Sequence, residues 1–205
     1  MLTLDHLAVS AQTLEAGVAA VEDRLEVRLS PGGKHPAMGT HNRLLRLGPG
    51  LYLEVIAIDP AAPAPGRPRW FDLDRFAGPP RLTTWIARCD DLDAALALAP
   101  PGAGVPMDLA RGDLRWRMAV PEDGRLPFDG LFPALIAWQG RAHPAALLPE
   151  TGCRLAGLEL VHPRADALRQ ALTGLIGEPL IALHQGPAPA LRALIDTPSG
   201  RRVLE

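Results

Sequence analysis

Arg115 and Arg117 stand two residues apart in Leu114-Arg115-Trp116-Arg117-Met118-Ala119-Val120, the cleanest alternation in the chain. Read as a strand, the run puts both guanidiniums on one face and Leu114, Trp116 and Met118 on the other. A guanidinium binds carboxylates or phosphates in bidentate fashion, so the pair points to an anionic small-molecule ligand. The bland alternative is a solvent-facing strand whose arginines serve solubility. A second constellation is an imidazole and a carboxylate, His6 and Glu54, each inside a strand-like run. His6 lies in Leu4-Asp5-His6-Leu7-Ala8-Val9, the first of three strand-like openings that each lead into a helix pattern. The others are Arg81–Arg88 and Leu155–Val161, with Thr84 and Gly157 where the first has His6.

Around these residues the elements fall into three runs. The first, residues 1–59, opens with the His6 strand. Leu14, Val18, Val21 and Leu25 then recur at spacings of four, three and four, which predicts a helix with Thr13 near its cap. His41–Leu47 and Leu51–Ile58 read as a hairpin about Gly48-Pro49-Gly50. Alternation puts Leu53 and Val55 toward the helix and leaves Tyr52, Glu54 and Ile56 for the opposite face. Residues 60–80 are a proline-rich linker, extended and fairly stiff, whose Trp70, Phe71 and Phe76 either pin it down or line a pocket. The second run, residues 81–140, has a short helix capped by Asp90 or Asp91, the Arg115/Arg117 strand, and a strand from Leu131 to Trp138. The third, residues 153–205, carries a helix with Leu168, Leu172, Leu175 and Ile176 on one face, ending at Gly177, and three short strands.

Composition narrows the classes. A formal net charge of -2 and a pI near 6.3 argue against a nucleic-acid partner held by bulk charge. No apolar run is long enough to span a membrane and no signal peptide opens the chain, so the cytoplasm is the expected location. Cys89 and Cys153 form no framework, and a buried or idle thiol is the reading for Cys89. G-x-G-x-x-G, Walker and G-x-S-x-G motifs are missing from the sequence. His35 and His143 fall in loop-like stretches and read as solvated; His162 and His184 have no partner that the sequence identifies.

Strand–helix followed by two or three strands, repeated, resembles the βαβββ modules of the vicinal oxygen chelate superfamily of glyoxalase I, extradiol dioxygenases and bleomycin-resistance proteins. Leu4-Asp5-His6-Leu7, Gly39-Thr40-His41-Asn42, Leu53-Glu54-Val55-Ile56 and Leu114-Arg115-Trp116-Arg117 look like its glyoxalase-like domain branch. The resemblance implies an α+β fold in which paired modules curl mixed sheets into a cup, with a third, partial module. The first two modules would share the cup, with the third extending the sheet or forming a dimer contact.

In that superfamily, metal ligands point into the cup from the first and last strands of each module. Carried over, this implies His6 and Glu54 as metal ligands, Glu54 also as a catalytic group, and His41 as a third ligand if its strand borders the cup. Zn, Fe, Mn or Ni are the candidate ions, polarising a carbonyl or chelating vicinal oxygens. The second module departs from the pattern, with Thr84 at the His6 position and Ile136, Ala137 or Trp138 near that of Glu54. The third offers Gly157 there, with Glu159 two residues on. Arg115 and Arg117, with Arg88 beside them, would face the cup if the apolar face of their strand meets the helix. Tyr52, Thr84 and Trp138 would complete a substrate-binding wall. The implied function is binding of a small, anionic, oxygenated molecule, with metal-dependent lyase, isomerase or dioxygenase chemistry. The alternative is metal-free sequestration of the bleomycin-resistance type, with His6 and His41 merely hydrogen-bonded and Glu54 paired to an arginine. Relatives often complete their cups by pairing, so a homodimer is an expected assembly.

Overall fold

A computed structural model describes residues 1–177 and 179–205. The first run forms β1 (Thr3–Ser10), α1 (Leu14–Leu25), β2 (Ser30–His35), β3 (Thr40–Gly48) and β4 (Leu51–Ile58). The Thr13 side chain caps α1 by accepting the Ala16 N–H, and Leu14, Val21 and Leu25 are its buried face. Gly17 lets the helix sit directly on the sheet: a Cβ there would lie 2.6 Å from Val55 Cγ1.

The linker carries a 3₁₀ turn at Trp70–Arg75. The second run then gives β5 (Arg81–Arg88), α2 (Leu92–Leu98, capped by Asp91), β6 (Val105–Arg111), β7 (Leu114–Val120) and β8 (Ala134–Gln139). β6 is a strand the sequence pattern conceals. It is an edge, it is mostly exposed, and it contains Pro106, which disfavours a strand reading. After the four-residue α3 (Pro144–Leu147) come β9 (Arg154–His162), α4 (Ala165–Leu172), β10 (Ile181–Gln185), β11 (Ala190–Thr197) and β12 (Gly200–Leu204). α4 stops at Leu172, short of the expected Ile176, which instead bridges to Leu2.

Among the described residues the strands form two sheets. The larger has the order β2-β3-β4-β1-β5-β8-β7-β6. Within each of the first two modules the first and last strands run parallel, β1 beside β4 and β5 beside β8. The antiparallel β1–β5 pair joins the modules into one curled sheet with a shared concave face. Its two edges approach each other so closely that a Cβ on Gly33 of β2 would lie 2.6 Å from Arg111 Cδ of β6.

The third run repeats the order of elements but not the wiring. Its sheet is β10-β9-β11-β12, so β9 lies between the second and third strands and never meets the last. The third run does not extend the large sheet, one of the placements left open by the sequence, but forms a sheet of its own. Leu158, Leu160 and Ile195 pack in the same core as Leu4, Leu7 and Trp85, so the small sheet and the helices together cover the convex face. The concave face is filled by a separate apolar cluster that includes Ile56, Ile86, Trp116, Met118 and Ile136. Both faces of the sheet's middle strands are therefore buried, while the outward side of β6 and β7 is open to solvent at Asp108 and Arg115.

Candidate functional site

On β4 the alternation holds. Leu53, Val55 and Ala57 join the helix-side core, while Tyr52, Glu54 and Ile56 face the cup. His6 pairs in parallel register with Tyr52, and the two rings stack at 4.3 Å between centroids. His6 Nε2 lies 3.7 Å from Glu54 Oε2. Asn42 donates from Nδ2 to Glu54 Oε1 at 2.5 Å, fixing that carboxylate from the other side.

Behind His6 sits Asp5, wholly buried. It is the extra residue of a β-bulge: Leu4 pairs with Ala87 and His6 with Ile86, leaving Asp5 unopposed on β5. Bulges re-aim side chains beside functional sites, and this one turns Asp5 into a hub. Its Oδ1 accepts His6 Nδ1–H at 2.6 Å, and its Oδ2 accepts Trp138 Nε1–H and His143 Nε2–H, both at 3.0 Å. Arg88 Nη1 adds a contact at 3.5 Å while donating to the Gly50 carbonyl at 2.7 Å. Burial by itself would raise the Asp5 pKa. The hydrogen bonds from His143 and His6 outweigh it and hold the carboxyl well below its ordinary range. His143 is thus a structural donor rather than a solvated loop residue; its Nδ1 accepts the Ala145 N–H, which fixes the tautomer.

His35, also expected in solvent, is buried in the cup. Burial, then the positive charge of Arg111, pushes its imidazole down to about 3, so it is neutral at pH 7. Arg111 Nη1 donates to His35 Nε2 and to Asn42 Oδ1, both at 3.1 Å, and His35 Nδ1 meets Thr40 Oγ1 at 3.1 Å. Burial first, then the Asp5 and Glu54 carboxylates, raise the Tyr52 phenol well above its ordinary value, so it is neutral too.

The structure brings His6, Glu54, Tyr52 and Trp138 together around one small chamber. Thr84 also faces inward, opposite Ala8, but borders a different cavity. His41 does not join them. A two-residue turn at Pro49-Gly50 would set it opposite Ile58, on the face of Glu54. Instead the register slips at Leu47, between the Arg46–Tyr52 and Gly48–Leu51 pairs. A one-residue slip flips every side chain, so His41 pairs with Ala57 of the helix-side core and Asn42 takes the inward position.

Arg115 and Arg117 are likewise reversed. Leu114, Trp116 and Met118 fill the cup, and Arg117 points outward to the Asp93 carboxylate of α2 at 2.8 Å. The cation of the cup is Arg111, whose strand shares its inward face with Met107 and Leu109. Cys89 stays an idle thiol: burial, then Asp90 and Asp91, pushes it up to about 11.

Trp70 and Phe71 of the linker close the chamber, which leaves about 30 Å³, room for one water-sized group. Both rings are buried, so they pin the linker and line the pocket at once. The Trp70 indole N–H is buried without a hydrogen-bond partner.

A resident divalent ion fits this donor set poorly. Catalytic zinc sites take three protein ligands. Here His6 Nε2 and Glu54 Oε2 are two. The other polar groups of the cup are engaged: His35 by Thr40 and Arg111, and Asn42 Oδ1 by Arg111 and the Gly33 N–H. The inward positions of the second module, Ile86, Ala134, Ile136 and Trp138, carry no typical metal ligand. Among the described residues no three His, Cys, Asp or Glu side chains converge to hold a metal.

Paired βαβββ modules sharing one concave face define the vicinal oxygen chelate fold. The family model described as glyoxalase-like domain matches residues 4–176, and the chain belongs to that family. Among solved structures, a Staphylococcus aureus protein described as hypothetical shares the fold at 12% identity and TM-score 0.59, covering 92% of this chain and 88% of that one. Methylmalonyl-CoA epimerase of Streptomyces coelicolor, in complex with 2-nitronate-propionyl-CoA, is similar at 14% identity over 69% of this chain and 100% of that one, with TM-score 0.44. The Mycobacterium tuberculosis epimerase gives 19% identity, 68% and 88% coverage, and TM-score 0.42. No curated protein matches the sequence. No helix among the described residues is long and apolar enough to cross a membrane.

Proposed function

We propose that the cup binds a small hydroxycarboxylate without the help of a metal. The observation that carries this reading is the complementary edge chemistry of one chamber. His6 Nε2 and Glu54 Oε2 present acceptors, while Arg111 and the unpartnered Trp70 indole N–H present donors. A ligand hydroxyl donates to the first pair and its carboxylate accepts from the second. With Trp70 and Phe71 in place the chamber is water-sized, so a ligand of several heavy atoms requires their turn to swing outward. Phe71 and Asp72 both have positive φ, 58° and 55°. Such residues store about 1–3 kcal/mol each and cluster at ligand clamps.

A second reading is favoured by the Asp5–His6 hydrogen bond of 2.6 Å. A carboxylate behind Nδ1 orients the imidazole and leaves Nε2 free to take a proton, with Glu54 beside it to share the load. The bound molecule would then be isomerised rather than stored. Thermal-shift measurements with glycolate and lactate against their methyl esters test the binding reading. The free acids should raise Tm and the esters should not, and Arg111→Ala should abolish the rise. Equal behaviour of acids and esters would sink it. Deuterium uptake from solvent into bound lactate, lost in His6→Ala, separates isomerisation from storage.

A further inference from the structure

A second and much larger cavity, about 620 Å³, lies beside the cup, between the 3₁₀ turn, the start of β5, the loop at 125–131 and β11 of the small sheet. Its volume is that of a site for a drug-sized molecule. We propose that this cavity binds an amphipathic anion, a carboxylate or phosphate on an apolar body. It does not rest on the function assigned to the cup; Phe71 is the wall between the two.

Charge is the first argument. Arg75, Arg81, Arg125 and Arg192 line the cavity. Arg192 is matched by Glu205 at 3.1 Å, but Asp72 serves two guanidiniums, Arg75 at 2.9 Å and Arg125 at 3.6 Å. The remaining lining carboxylate, Asp129, is held by His162 at 3.1 Å. Arg81 has no carboxylate partner among the described residues. Its Nη1 donates to the Ala77 carbonyl at 2.8 Å, and its guanidinium lies 4.4 Å over the Phe76 ring. The turn side of the cavity therefore holds a cationic excess beside apolar walls such as Leu82, Leu131 and Leu191. An anion there gains charge-assisted hydrogen bonds, and its apolar body covers the walls.

Backbone strain is the second argument, independent of charge. Five non-glycine residues have positive φ among those described, and four of them form two Phe–Asp pairs, Phe71–Asp72 and Phe128–Asp129. Asp72 and Asp129 both line this cavity. A bulky aromatic in the left-handed region is a costly arrangement that persists only where surrounding contacts enforce it, and such residues gather at ligand clamps. Here they aim two carboxylates at the rim, where Asp72 holds the guanidiniums of Arg75 and Arg125 and Asp129 accepts from His162 Nε2.

Calorimetric titration of the full chain with octanoate, octyl phosphate and octanol tests the proposal. One or both anions should bind at least tenfold tighter than octanol. The double variant Arg81→Gln/Arg125→Gln should weaken the anions tenfold or more and leave octanol unchanged. Arg117→Gln, on the convex face, should bind as the parent does. Tighter binding of octyl phosphate would assign a phosphate ester, and tighter binding of octanoate a carboxylate. Anions that bind no better than octanol, or equally well to the folded double variant, would overturn the proposal.

Discussion

The two halves of the cup are built on the same strand–helix–strand plan and do different work. The first module lines it with His6, His35, Asn42 and Glu54, with Asp5 behind them. The second lines it with Ile86, Trp116, Met118, Ile136 and Trp138, adding one charge, Arg111, from its edge strand. One scaffold thus supplies a polar, proton-handling wall and an apolar wall. The difference lies in two bulges as much as in residue types: one turns Asp5 in, the other turns His41 out and Asn42 in. Duplication gives the geometry, and a one-residue slip in one copy gives the chemistry.

Breaking the polar half at its hub should cost most. Asp5→Ala leaves three donors, on the buried His6 and the half-buried Trp138 and His143, without their acceptor. Losing one side of a buried, charged hydrogen-bonded network costs about 3–5 kcal/mol, measurable by urea denaturation at pH 7. The acid limb carries the sign. Because the folded-state pKa of Asp5 is depressed, its contribution is complete above its ordinary value near 3.8 and is lost only as pH falls below that. A loss on Asp5→Ala no larger than that of a surface carboxylate would mean that Asp5 is not the hub of the polar wall. The apolar half should fail by a different mechanism. Ile136→Ala opens a cavity in a packed wall and should cost about 2–4 kcal/mol. That loss should be independent of pH between 5 and 8, whereas a titrating loss would mean the walls are not separate.

His35 sharpens the contrast with a pH profile. Its folded-state pKa is lowered to about 3 from 6.5, so unfolded chains take up a proton that folded chains refuse. Stability is complete above 6.5 and falls as pH drops toward 3, by up to about 1.4 kcal/mol per unit. Between pH 7 and 5 the parent should lose about 2 kcal/mol from this group, and His35→Gln should flatten that interval. A slope unchanged in the variant would mean His35 is not the titrating group.

Much of this was legible in the sequence. Alternation along Leu51–Ile58 placed Glu54 and Tyr52 on the inward face, and the repeated strand–helix openings placed His6 on the matching first strand. What failed did so for physical reasons. The buried side of β7 is the cup, which is apolar in this half, so Leu114, Trp116 and Met118 went inward and the arginines outward, Arg117 to Asp93. A bulge carries no composition signature, so the slip at Leu47 hid the exchange of His41 for Asn42. An exposed edge strand containing Pro106 hid Arg111. The like order of elements in the third run concealed a different strand order, because register and pairing are tertiary properties. Asp5, beside His6 in sequence, was in plain view, but only the bulge gives it a role.

The proposal of a metal-free cup rests on its having, among the described residues, two free metal-binding atoms, His6 Nε2 and Glu54 Oε2. Calorimetric titration of tag-free protein with Zn²⁺ tests it most directly, repeated on His6→Ala and Glu54→Ala. No saturable one-to-one binding that depends on those two residues is expected. Stoichiometric binding to the parent that disappears in both variants would contradict it.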